Sequence, residues 1–408
     1  MPGKVNVSCP TGGIEIEATH QTDVVVVGAG IAGLTAAIAL DRAGISVQIV
    51  ERAGALTQAG TALSLWPNAL AALDRIGLSG PIADIGCEEP TGTVRNWSGR
   101  EIIRVDQSRL PRRVGPTTLI VHRGDLQRVL LDAASHLPML LHSPVARMGT
   151  DGSRGIAELS TGEQIRASVV LACDGVRSVA RSLADNPLPR YTGRTSWRAV
   201  LSGASHLATE ACLSAGQGKQ FIASPLRGHL TYWAADVGMP EGANEALPDK
   251  KAFLLDSFAG WHQPVVELIE RTESAQLVIA DVYDAVPRVL TAGRVALLGD
   301  AAHPMTPDLG QGACQGIEDG VVIAACMTMA SDPEIALATY QSARIHRVRR
   351  MVKDSRRLGV LATAESPIGS SIRNAVAALM PGWINRGITA RYASEAAFLR
   401  TLPGQVVP

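Results

Sequence analysis

The segment DVVVVGAGIAGLTAAIALDRAGISVQIVE, Asp23 to Glu51, limits what this chain can fold into more than any other stretch. Its apolar β-branched run from Val24 to Val27 predicts a buried parallel strand, and a helical stretch up to Gly44 precedes a second strand that begins at Ile45. Three glycines in G-x-G-x-x-G spacing stand between the first strand and the helix: Gly28, Gly30 and Gly33. This order of strand, glycine turn, helix and strand predicts a βαβ dinucleotide-binding unit.

The glycines and the terminal acid each fit one part of that interpretation. Gly28 permits the tight turn, Gly30 lets the backbone approach a pyrophosphate, and Gly33 lets helix and strand pack closely. Glu51 follows about twenty residues later, where such a unit binds a ribose hydroxyl. The acid disfavours a 2′-phosphate at this position, but it does not separate NAD from FAD. A membrane span is disfavoured because the three glycines interrupt the apolar run.

The composition excludes several classes of partner. Across 408 residues Lys+Arg and Asp+Glu both total 38, so no overall charge attracts nucleic acid or an anionic membrane. The six cysteines form no CxxC pair, which argues against a disulfide framework and a structural zinc site and fits a reducing cytoplasm. Residues 1–22 lack the features of a secretory signal, and we interpret them as a frayed extension. We therefore expect a cytoplasmic protein without a metal or a membrane span that binds a small molecule.

Two further motifs stand where an α/β sheet binds ligands. HRGDLQ opens a predicted helix with Arg123 near its start, and this arginine faces either a phosphate or cofactor edge or only solvent. LACDGVRSVAR follows a buried strand and puts Asp174 at its carboxyl end beside a glycine turn. Arg177 and Arg181 are four residues apart, which predicts that they share one face of a helix.

The residues between Tyr191 and Tyr283 have a different character. Short β-rich runs separated by glycine turns predict an antiparallel sheet, which we interpret as the substrate lobe. The alternating residues from Thr93 to Val105 predict further strands of a sheet inserted in the nucleotide domain. Because side chains alternate between the two faces of a strand, only one of Tyr232 and Trp233 faces a given pocket.

The most specific signature is RVALLGDAAHPMTPDLGQG, in which a buried strand ends at Asp300 and a two-proline loop leads to Gly310 and Gly312. An acid at that position accepts hydrogen bonds from a polyol, and the glycine-rich helix start offers amides and a positive dipole end to an anion. Two such helix starts on one sheet predict a long, bent ligand.

These motifs, in this order and spacing, resemble those of the class A flavoprotein monooxygenases, the para-hydroxybenzoate hydroxylase fold group. WPNALAALDRIGL, YTGRTSWRAV and TPDLGQG are most similar to the branch that holds salicylate hydroxylase, 3-hydroxybenzoate 6-hydroxylase, FAD-dependent urate hydroxylase and zeaxanthin epoxidase. The resemblance implies an α/β fold: a Rossmann-like FAD-binding domain of the GR2 type with a mixed sheet, an inserted antiparallel β-sheet substrate domain and a C-terminal helical segment. We expect the FAD domain at 23–92, 117–190 and 285–343, the substrate domain at 93–116 and 191–284, and C-terminal helices at 344–408.

The same resemblance implies an enzyme that uses FAD, NADH or NADPH as co-substrate, and O2. NAD(P)H reduces the flavin, oxygen adds at flavin C4a, and the resulting hydroperoxide hydroxylates an aromatic or heteroaromatic small molecule. The residues expected to bind the cofactor are Gly28, Gly30, Ala32, Gly33, Glu51, Arg52, Arg123, Asp174, Gly299, Asp300, Gly310, Gly312 and Ala313.

The candidates for catalysis come from the two-proline loop and the substrate lobe: Asp308, His303, His229, Tyr232 and Gln220. A phenolic substrate needs a base or hydrogen-bond acceptor within about 3 Å of its hydroxyl. Asp308 lies in the loop where the urate hydroxylase and epoxidase branches also carry an acid, although an acid that caps the next helix is the alternative. His303 fits a structural role better. Gln220 stands where hydroxybenzoate members tend to have a histidine and the urate branch an arginine, which weakens the assignment of either substrate.

Other functions stay open at this point. An NAD-dependent dehydrogenase explains only the first motif, and a flavin halogenase predicts a WxWxIP element that the sequence lacks. A flavin epoxidase of a prenyl or polyene chain, a non-oxygenating flavin oxidoreductase and a non-catalytic flavin-fold binding protein remain as alternatives. The basic run from Arg344 to Arg357 predicts a solvated helix face rather than a nucleic-acid site, because no aromatic residue interleaves it. We expect a monomer or a homodimer.

Overall fold

The computed structural model describes residues 22–56, 61–89, 91–106 and 118–362, so most of the predicted N-terminal extension and the predicted helices after 362 lie outside the described residues. The helices are α1 Ile31–Arg42, α2 Pro67–Arg75, α3 Ser79–Ile85, α4 Arg123–Ala133, α5 Lys250–Ser257, α6 Val265–Arg271, α7 Gly312–Met329 and α8 Pro333–Ala362. The strands are β1 Val24–Val27, β2 Val47–Val50, β3 Ala62–Leu65, β4 Cys87–Glu88, β5 Thr91–Asn96, β6 Glu101–Asp106, β7 Leu119–His122, β8 Met139–Leu140, β9 Val145–Asp151, β10 Arg154–Leu159, β11 Gln164–Ala167, β12 Val169–Ala172, β13 Arg190–Ser202, β14 Ala211–Gly216, β15 Lys219–Leu226, β16 Leu230–Gly238, β17 Val278–Asp284, β18 Thr291–Ala292 and β19 Val295–Leu297.

The predicted βαβ unit forms the centre of a six-stranded sheet with the order β18-β19-β12-β1-β2-β8. β1 pairs in parallel with β2 and β12, and β12 pairs in parallel with β19. The run Val24–Val27 is fully buried, as expected for a parallel strand covered on both faces. The carboxyl ends of β2, β1, β12 and β19 therefore meet at one edge. β18 is antiparallel, which makes the sheet mixed, as the resemblance implies.

The substrate lobe is a seven-stranded sheet with the order β17-β13-β16-β15-β14-β5-β6. Its pairs are antiparallel except β5 with β14. One face, which we call the outer face, packs Trp197, Phe221 and Trp233 against Phe258 and Leu268 of the segment that holds α5 and α6. The opposite face carries side chains that are in part only half-buried, and we call it the inner face: Arg194, Gln220, Ser224, Tyr232 and Asp236.

A small sheet, β3-β7-β4, lies against that inner face. Ala62 of β3 and Ile120 of β7 pack with Leu226 of the substrate sheet, and Tyr232 joins the same cluster. The contact places the nucleotide domain directly opposite the inner face. Both stretches predicted for the substrate domain contribute strands to the large sheet, while the domain boundaries themselves stay a prediction.

Three details differ from the sequence analysis. DGVRSVAR forms turns rather than a helix, so Arg177 and Arg181 share no helical face. α8 runs unbroken through the predicted boundary at 343/344. Part of the basic run is not a solvated face either, because Arg344 is buried and Arg347 and Arg356 bind buried carboxylates.

No helix within the described residues combines the length and apolar character needed to cross a bilayer. The same residues contain no cluster of His, Cys, Asp and Glu arranged to hold a metal ion.

Candidate cofactor site and inner face of the substrate sheet

The first glycine turn has the geometry that a pyrophosphate requires. Gly28 has φ +107°, and a Cβ atom there would lie 2.4 Å from the carbonyl oxygen of Cys173. A Cβ on Gly33 would lie 1.9 Å from the Gly28 carbonyl oxygen, so helix and turn pack too closely for any side chain. Gly30 is different, because a Cβ there meets nothing within 4 Å. No side chain caps α1, which leaves open space and unsatisfied N–H groups at its start.

Glu51 fixes this turn to the end of β2. Its Oε2 accepts a hydrogen bond from the Ala29 amide at 2.7 Å, and its Oε1 accepts one from the Ala53 amide at 2.8 Å. The side chain is half-buried, whereas Arg52 and Arg123 are exposed. Arg123 begins α4, the helix that approaches the same turn. The side-chain amide nitrogen of Gln127 in α4 donates to the Ala29 carbonyl oxygen at 3.5 Å.

Asp174 and Asp300 lie at the ends of β12 and β19. Asp174 Oδ2 accepts a hydrogen bond from the Val179 amide at 3.0 Å, whereas its buried Oδ1 has no partner. Burial raises the pKa of Asp174, although interactions with Ser178 and Val179 lower it in part. The orphaned oxygen marks a place where a ligand hydroxyl fits. The Asp300 side chain is exposed at the same sheet edge.

Arg181 holds the loop that carries Asp300, a role that sequence analysis missed. The residue is buried, and its guanidinium donates to the carbonyl oxygens of Asp300 at 2.9 Å and Ala302 at 3.3 Å. A four-residue spacing from Arg177 suggested a shared helical face, and only the tertiary structure reveals its contact with a loop more than a hundred residues away.

The two glycine-led helix starts converge, because α1 and α7 pack through small residues. A Cβ on Gly320 would lie 2.7 Å from the Ala36 nitrogen, and one on Gly316 would lie 3.1 Å from Ala32 Cβ. Gly299, at the end of β19, is equally close to Ala32, at 3.0 Å. α7 begins at Gly312 without a side-chain cap, so its first amides and those of α1 are open at one sheet edge. This arrangement suits the long, bent ligand predicted from the sequence.

His303 belongs to a buried ion network beneath α7. The residue is fully buried, and its Nε2 lies 2.6 Å from Asp319 Oδ2. Asp319 also accepts hydrogen bonds from the Gly299 amide at 2.9 Å and from Arg344 Nε at 2.7 Å. Burial alone would raise the pKa of Asp319, but Arg344 and His303 lower it to about 2. This position fits the structural role that we favoured for His303.

Asp308 lies in an ion pair that the sequence did not predict. Arg194 binds it with two hydrogen bonds, Nη1 to Oδ1 at 3.0 Å and Nη2 to Oδ2 at 2.7 Å. The Gln220 amide nitrogen donates to Asp308 at 3.2 Å and to Asp236 at 2.6 Å. The side chains of Arg194 and Asp308 are 7% and 1% exposed, so solvent hardly screens the pair. Burial would lower the pKa of Arg194, but its hydrogen bonds and charge interaction with Asp308 raise it.

Of the three other catalytic candidates, two lie on the inner face and the third lies away from its polar end. Gln220 and Tyr232 share the inner face, while Trp233 points to the outer face, where its Nε1 donates to Thr272 at 2.9 Å. This agrees with the predicted alternation. Burial raises the pKa of Tyr232 to about 12. His229 is exposed in the hairpin turn between β15 and β16, six positions or about 20 Å along the strand from the end that carries Gln220.

A cavity of about 170 Å³ opens beside the outer face, with Arg95, Ser214 and His262 in its lining. Ser214 Oγ lies 2.8 Å from His262 Nε2. Because Ser214 alternates with inner-face positions of the same sheet, the sheet itself separates this cavity from Asp308 and the glycine turns.

Comparison with known proteins identifies relatives over nearly the whole described chain. A family model described as FAD binding domain matches residues 21–355. The chain is 38% identical to the Aurachin C monooxygenase/isomerase of Stigmatella aurantiaca over 362 residues, 88% of this chain and 94% of that protein. It is 32% identical to the FAD-dependent urate hydroxylase of Klebsiella pneumoniae over 339 residues, 82% of this chain and 88% of that protein. The crystal structure of Klebsiella pneumoniae HpxO complexed with FAD and uric acid superposes with a TM-score of 0.84 at 27% identity, covering 92% and 97% of the two chains.

Proposed function

The chain belongs to the FAD binding domain family and, within it, to the class A flavoprotein aromatic monooxygenases, and on this premise we propose that its substrate is a heteroaromatic ring with an ionisable N–H or O–H group. The enzyme is an FAD-dependent monooxygenase, and its class uses NAD(P)H and O2. The proposal concerns the substrate class and the residues that serve the reaction.

The residues at the sheet edge fit FAD. We assign the pyrophosphate to the open space at Gly30 and the α1 amides, and the adenosine ribose to Glu51. The orphaned Asp174 Oδ1 and the exposed Asp300 suit the hydroxyls of the chain that joins the two halves of the cofactor. The uncapped start of α7 at Gly312 suits the negative charge of the reduced ring. When bound, FAD supplies electron transfer from NAD(P)H and the activation of O2.

The single observation that carries the substrate proposal is the polar end of the inner face. Arg194, Asp308 and Gln220 form one hydrogen-bonded group there, next to the loop that leads into Gly310 and α7. Further along the face, Val200 and Tyr232 pack in an apolar cluster with Ile120 and Leu226. A flat ring with polar edges suits such a surface, because its body contacts apolar side chains while its polar atoms meet fixed partners.

The names of the relatives support the same class. Two are named for urate and for 6-hydroxynicotinate, which are heteroaromatic, and a third for the aromatic 3-amino-4-hydroxybenzoate. The Aurachin C relative is named as both a monooxygenase and an isomerase, so a rearranged product is a second outcome to look for.

A screen of NAD(P)H consumption with phenols, purines, quinolones and polyenes tests the proposal, with mass spectrometry to detect one added oxygen. We expect stimulation by a heteroaromatic compound and a product heavier by one oxygen atom, with or without a rearranged skeleton. An oxygenated polyene as the preferred product would favour the epoxidase alternative. NAD(P)H consumption without oxygen in any product would favour a non-oxygenating oxidoreductase.

Asp308→Asn tests whether the ion pair serves the reaction. The change removes the charge opposite Arg194, so we expect at least tenfold less product per NAD(P)H consumed while FAD stays bound. Asp284→Asn is the matched control, because Asp284 is also fully buried and ion-paired, with Arg190 and Arg356. Equal losses of product in both variants would mean that Asp308 acts only through stability.

We also propose a reducing compartment, since Cys87, Cys173, Cys212, Cys314 and Cys326 are free thiols. The expectation of a monomer or homodimer is testable by light scattering.

A further inference from the structure

Glu89 lies where the small sheet faces the substrate sheet. β4 pairs with β7 through Cys87 and Glu88, and the Glu89 amide extends this pairing by donating to the Thr118 carbonyl at 3.0 Å. Alternation therefore puts the Glu89 side chain on the same face as Cys87 and its partner Ile120. Ile120 packs against Leu226 of the substrate sheet. Glu89 thus points towards the inner face.

Two serine side chains from opposite walls face its carboxyl and oppose part of the rise in its pKa. Ser64 comes from β3 of the nucleotide domain, and Ser224 comes from the inner face of β15. Ser64 adjoins the glycine loop before α7: its carbonyl accepts a hydrogen bond from Cys314 Sγ at 3.3 Å, and its Cβ lies 3.9 Å from where a Cβ on Gly310 would be. Ser224 pairs with Tyr232 in the sheet. Glu89 is therefore one side chain away from the loop that we assign to the flavin ring.

The charge environment of Glu89 differs from that of Asp308. Burial raises the pKa of Glu89 to about 7, although hydrogen bonds from Ser224 and Ser64 lower it in part. Within the part of the chain that the structure describes, no Lys or Arg forms an ion pair with it, whereas Asp308 has both oxygens bound by Arg194. Glu89 is half-buried, so it is desolvated and still accessible to a ligand.

The charged and titratable groups around Glu89 cannot take its place as a base near neutral pH. Cys87 is on the same strand, and burial followed by the charge of Glu89 raises its pKa, so the thiol stays protonated. Glu88 and Arg227 also act on Cys87 and are exposed. From the facing sheet, Tyr232 stays protonated because its pKa is about 12, and its charged neighbours are Arg198 and Asp236.

Resting on the proposed function, we propose that Glu89 is the general base of this site and takes the N–H or O–H proton of the heteroaromatic substrate. The substrate bond to hydrogen breaks and a carboxylic O–H bond forms on Glu89. The electron pair stays on the ring, which makes the ring a better acceptor of the oxygen atom. The ring anion that accepts an OH group becomes a neutral product. The proton held by Glu89 would then leave in the water formed from the second oxygen atom of O2, which regenerates the carboxylate, and NAD(P)H supplies the two electrons. Asp308 then acts as a positioning residue.

Glu89→Gln is the decisive variant, because it keeps a hydrogen-bonding group beside Ser64 and Ser224 but removes ionisation. We expect wild-type kcat/KM to rise with pH through about 7, and the variant to lose this rise and to be about a hundredfold slower above pH 7. A substrate that is already anionic in solution restores most of the rate. Glu89→Asp keeps the pH-dependent limb, and Glu88→Gln, at the exposed neighbouring position, changes nothing.

An equal loss with neutral and anionic substrates, or an unchanged pH profile, overturns the assignment. Infrared difference spectra of the holoenzyme give a readout without turnover. A protonated-carboxyl band that disappears with a midpoint near pH 7 in the wild type and is missing in Glu89→Gln supports Glu89, and a midpoint below pH 5 refutes it. If no compound stimulates NAD(P)H consumption by the wild type, the proposed function fails, and the infrared result still decides whether Glu89 is a base poised near neutral pH.

Discussion

At the scale of single residues, the absence of a side chain has two different meanings in the same turn. Gly33 lies against backbone, since its Cβ would lie 1.9 Å from the Gly28 carbonyl oxygen, whereas Gly30 faces open space. Backbone cannot move away as a flexible side chain can. Gly33 is therefore required for folding, and Gly30 is required for ligand binding.

This contrast predicts opposite effects of two alanine substitutions. Gly33→Ala destabilises the protein by about 3 kcal/mol or more, because it overpacks a core turn. Gly30→Ala leaves the free energy of unfolding of the apoprotein within about 0.5 kcal/mol of the wild type, but it weakens FAD binding at least tenfold, since the methyl group occupies the space at the start of α1. Urea unfolding of the apoproteins and FAD titration separate the two effects. Similar unfolding midpoints for Gly33→Ala and Gly30→Ala would contradict the packing argument.

The raised pKa of Glu89 also predicts how the free energy of unfolding depends on pH. Its carboxyl has a pKa of about 7 in the folded protein, above the unfolded value, so the folded state holds more protons between about pH 4.5 and pH 7. Stability contributed by this group is therefore present at low pH and is lost as the pH rises through about 7. Glu89→Gln should raise the free energy of unfolding by about 1–3 kcal/mol at pH 8 and by little at pH 5. Urea midpoints at both pH values test this, and a larger gain at pH 5 would reverse the sign.

At the scale of elements, local pattern was enough for the parts whose partners are close in sequence. The strand, turn and helix from Val24 to Arg42 follow from apolar runs and glycines, and the alternation of Tyr232 and Trp233 follows from strand geometry. The ion pairs were not predictable in this way. Arg194 and Asp308 are 114 residues apart, and neither segment carries a local sign of its partner.

α8 shows why the basic run was misinterpreted. The positive charge of the run predicts a solvent-exposed helix face. In the structure, Arg344 instead reaches Asp319 and Glu318 across the α7–α8 interface, and Arg356 binds Asp284. The arginines are buried because their partners lie on other elements. Sequence periodicity records the spacing of such residues but not the charge that faces them.

The α7–α8 network predicts how the protein unfolds in acid. The folded pKa of Asp319 is about 2 and that of Glu318 is also lowered, chiefly by Arg344 once the opposing effect of burial is overcome. Their contribution is fully present above the unfolded pKa of about 4, and it is lost as the pH falls towards 2. Asp319→Asn should lower the free energy of unfolding by about 3–5 kcal/mol at pH 7, because buried Arg344 then loses one of its two negatively charged partners on α7. The loss should be smaller at pH 3. Equal urea midpoints for wild type and variant at pH 7 would rule this out.

At the scale of the whole molecule, α8 connects the two halves of the site. Its first half carries Arg344 beneath α7, and near its end Gly359 lies against the Arg194–Asp308 pair on the inner face. A Cβ at Gly359 would lie 2.4 Å from Asp308 Oδ2 and 2.6 Å from Arg194 Nη2. One continuous helix therefore contacts both the cofactor-side network and the polar end of the inner face.

Gly359→Ala tests this connection, because helix propensity and packing act in opposite directions. Alanine favours a helix by about 1 kcal/mol over glycine, so a purely local effect would stabilise α8 and leave activity unchanged. The contacts predict instead that the methyl group displaces the ion pair, whose atoms are side-chain ends that move without unfolding the sheet. We expect FAD binding as in the wild type and a severalfold lower yield of product per NAD(P)H. Val360→Ala is the control, since Val360 is 69% exposed. A Gly359→Ala enzyme that is more stable and equally coupled would show that α8 only covers the pair and does not position it.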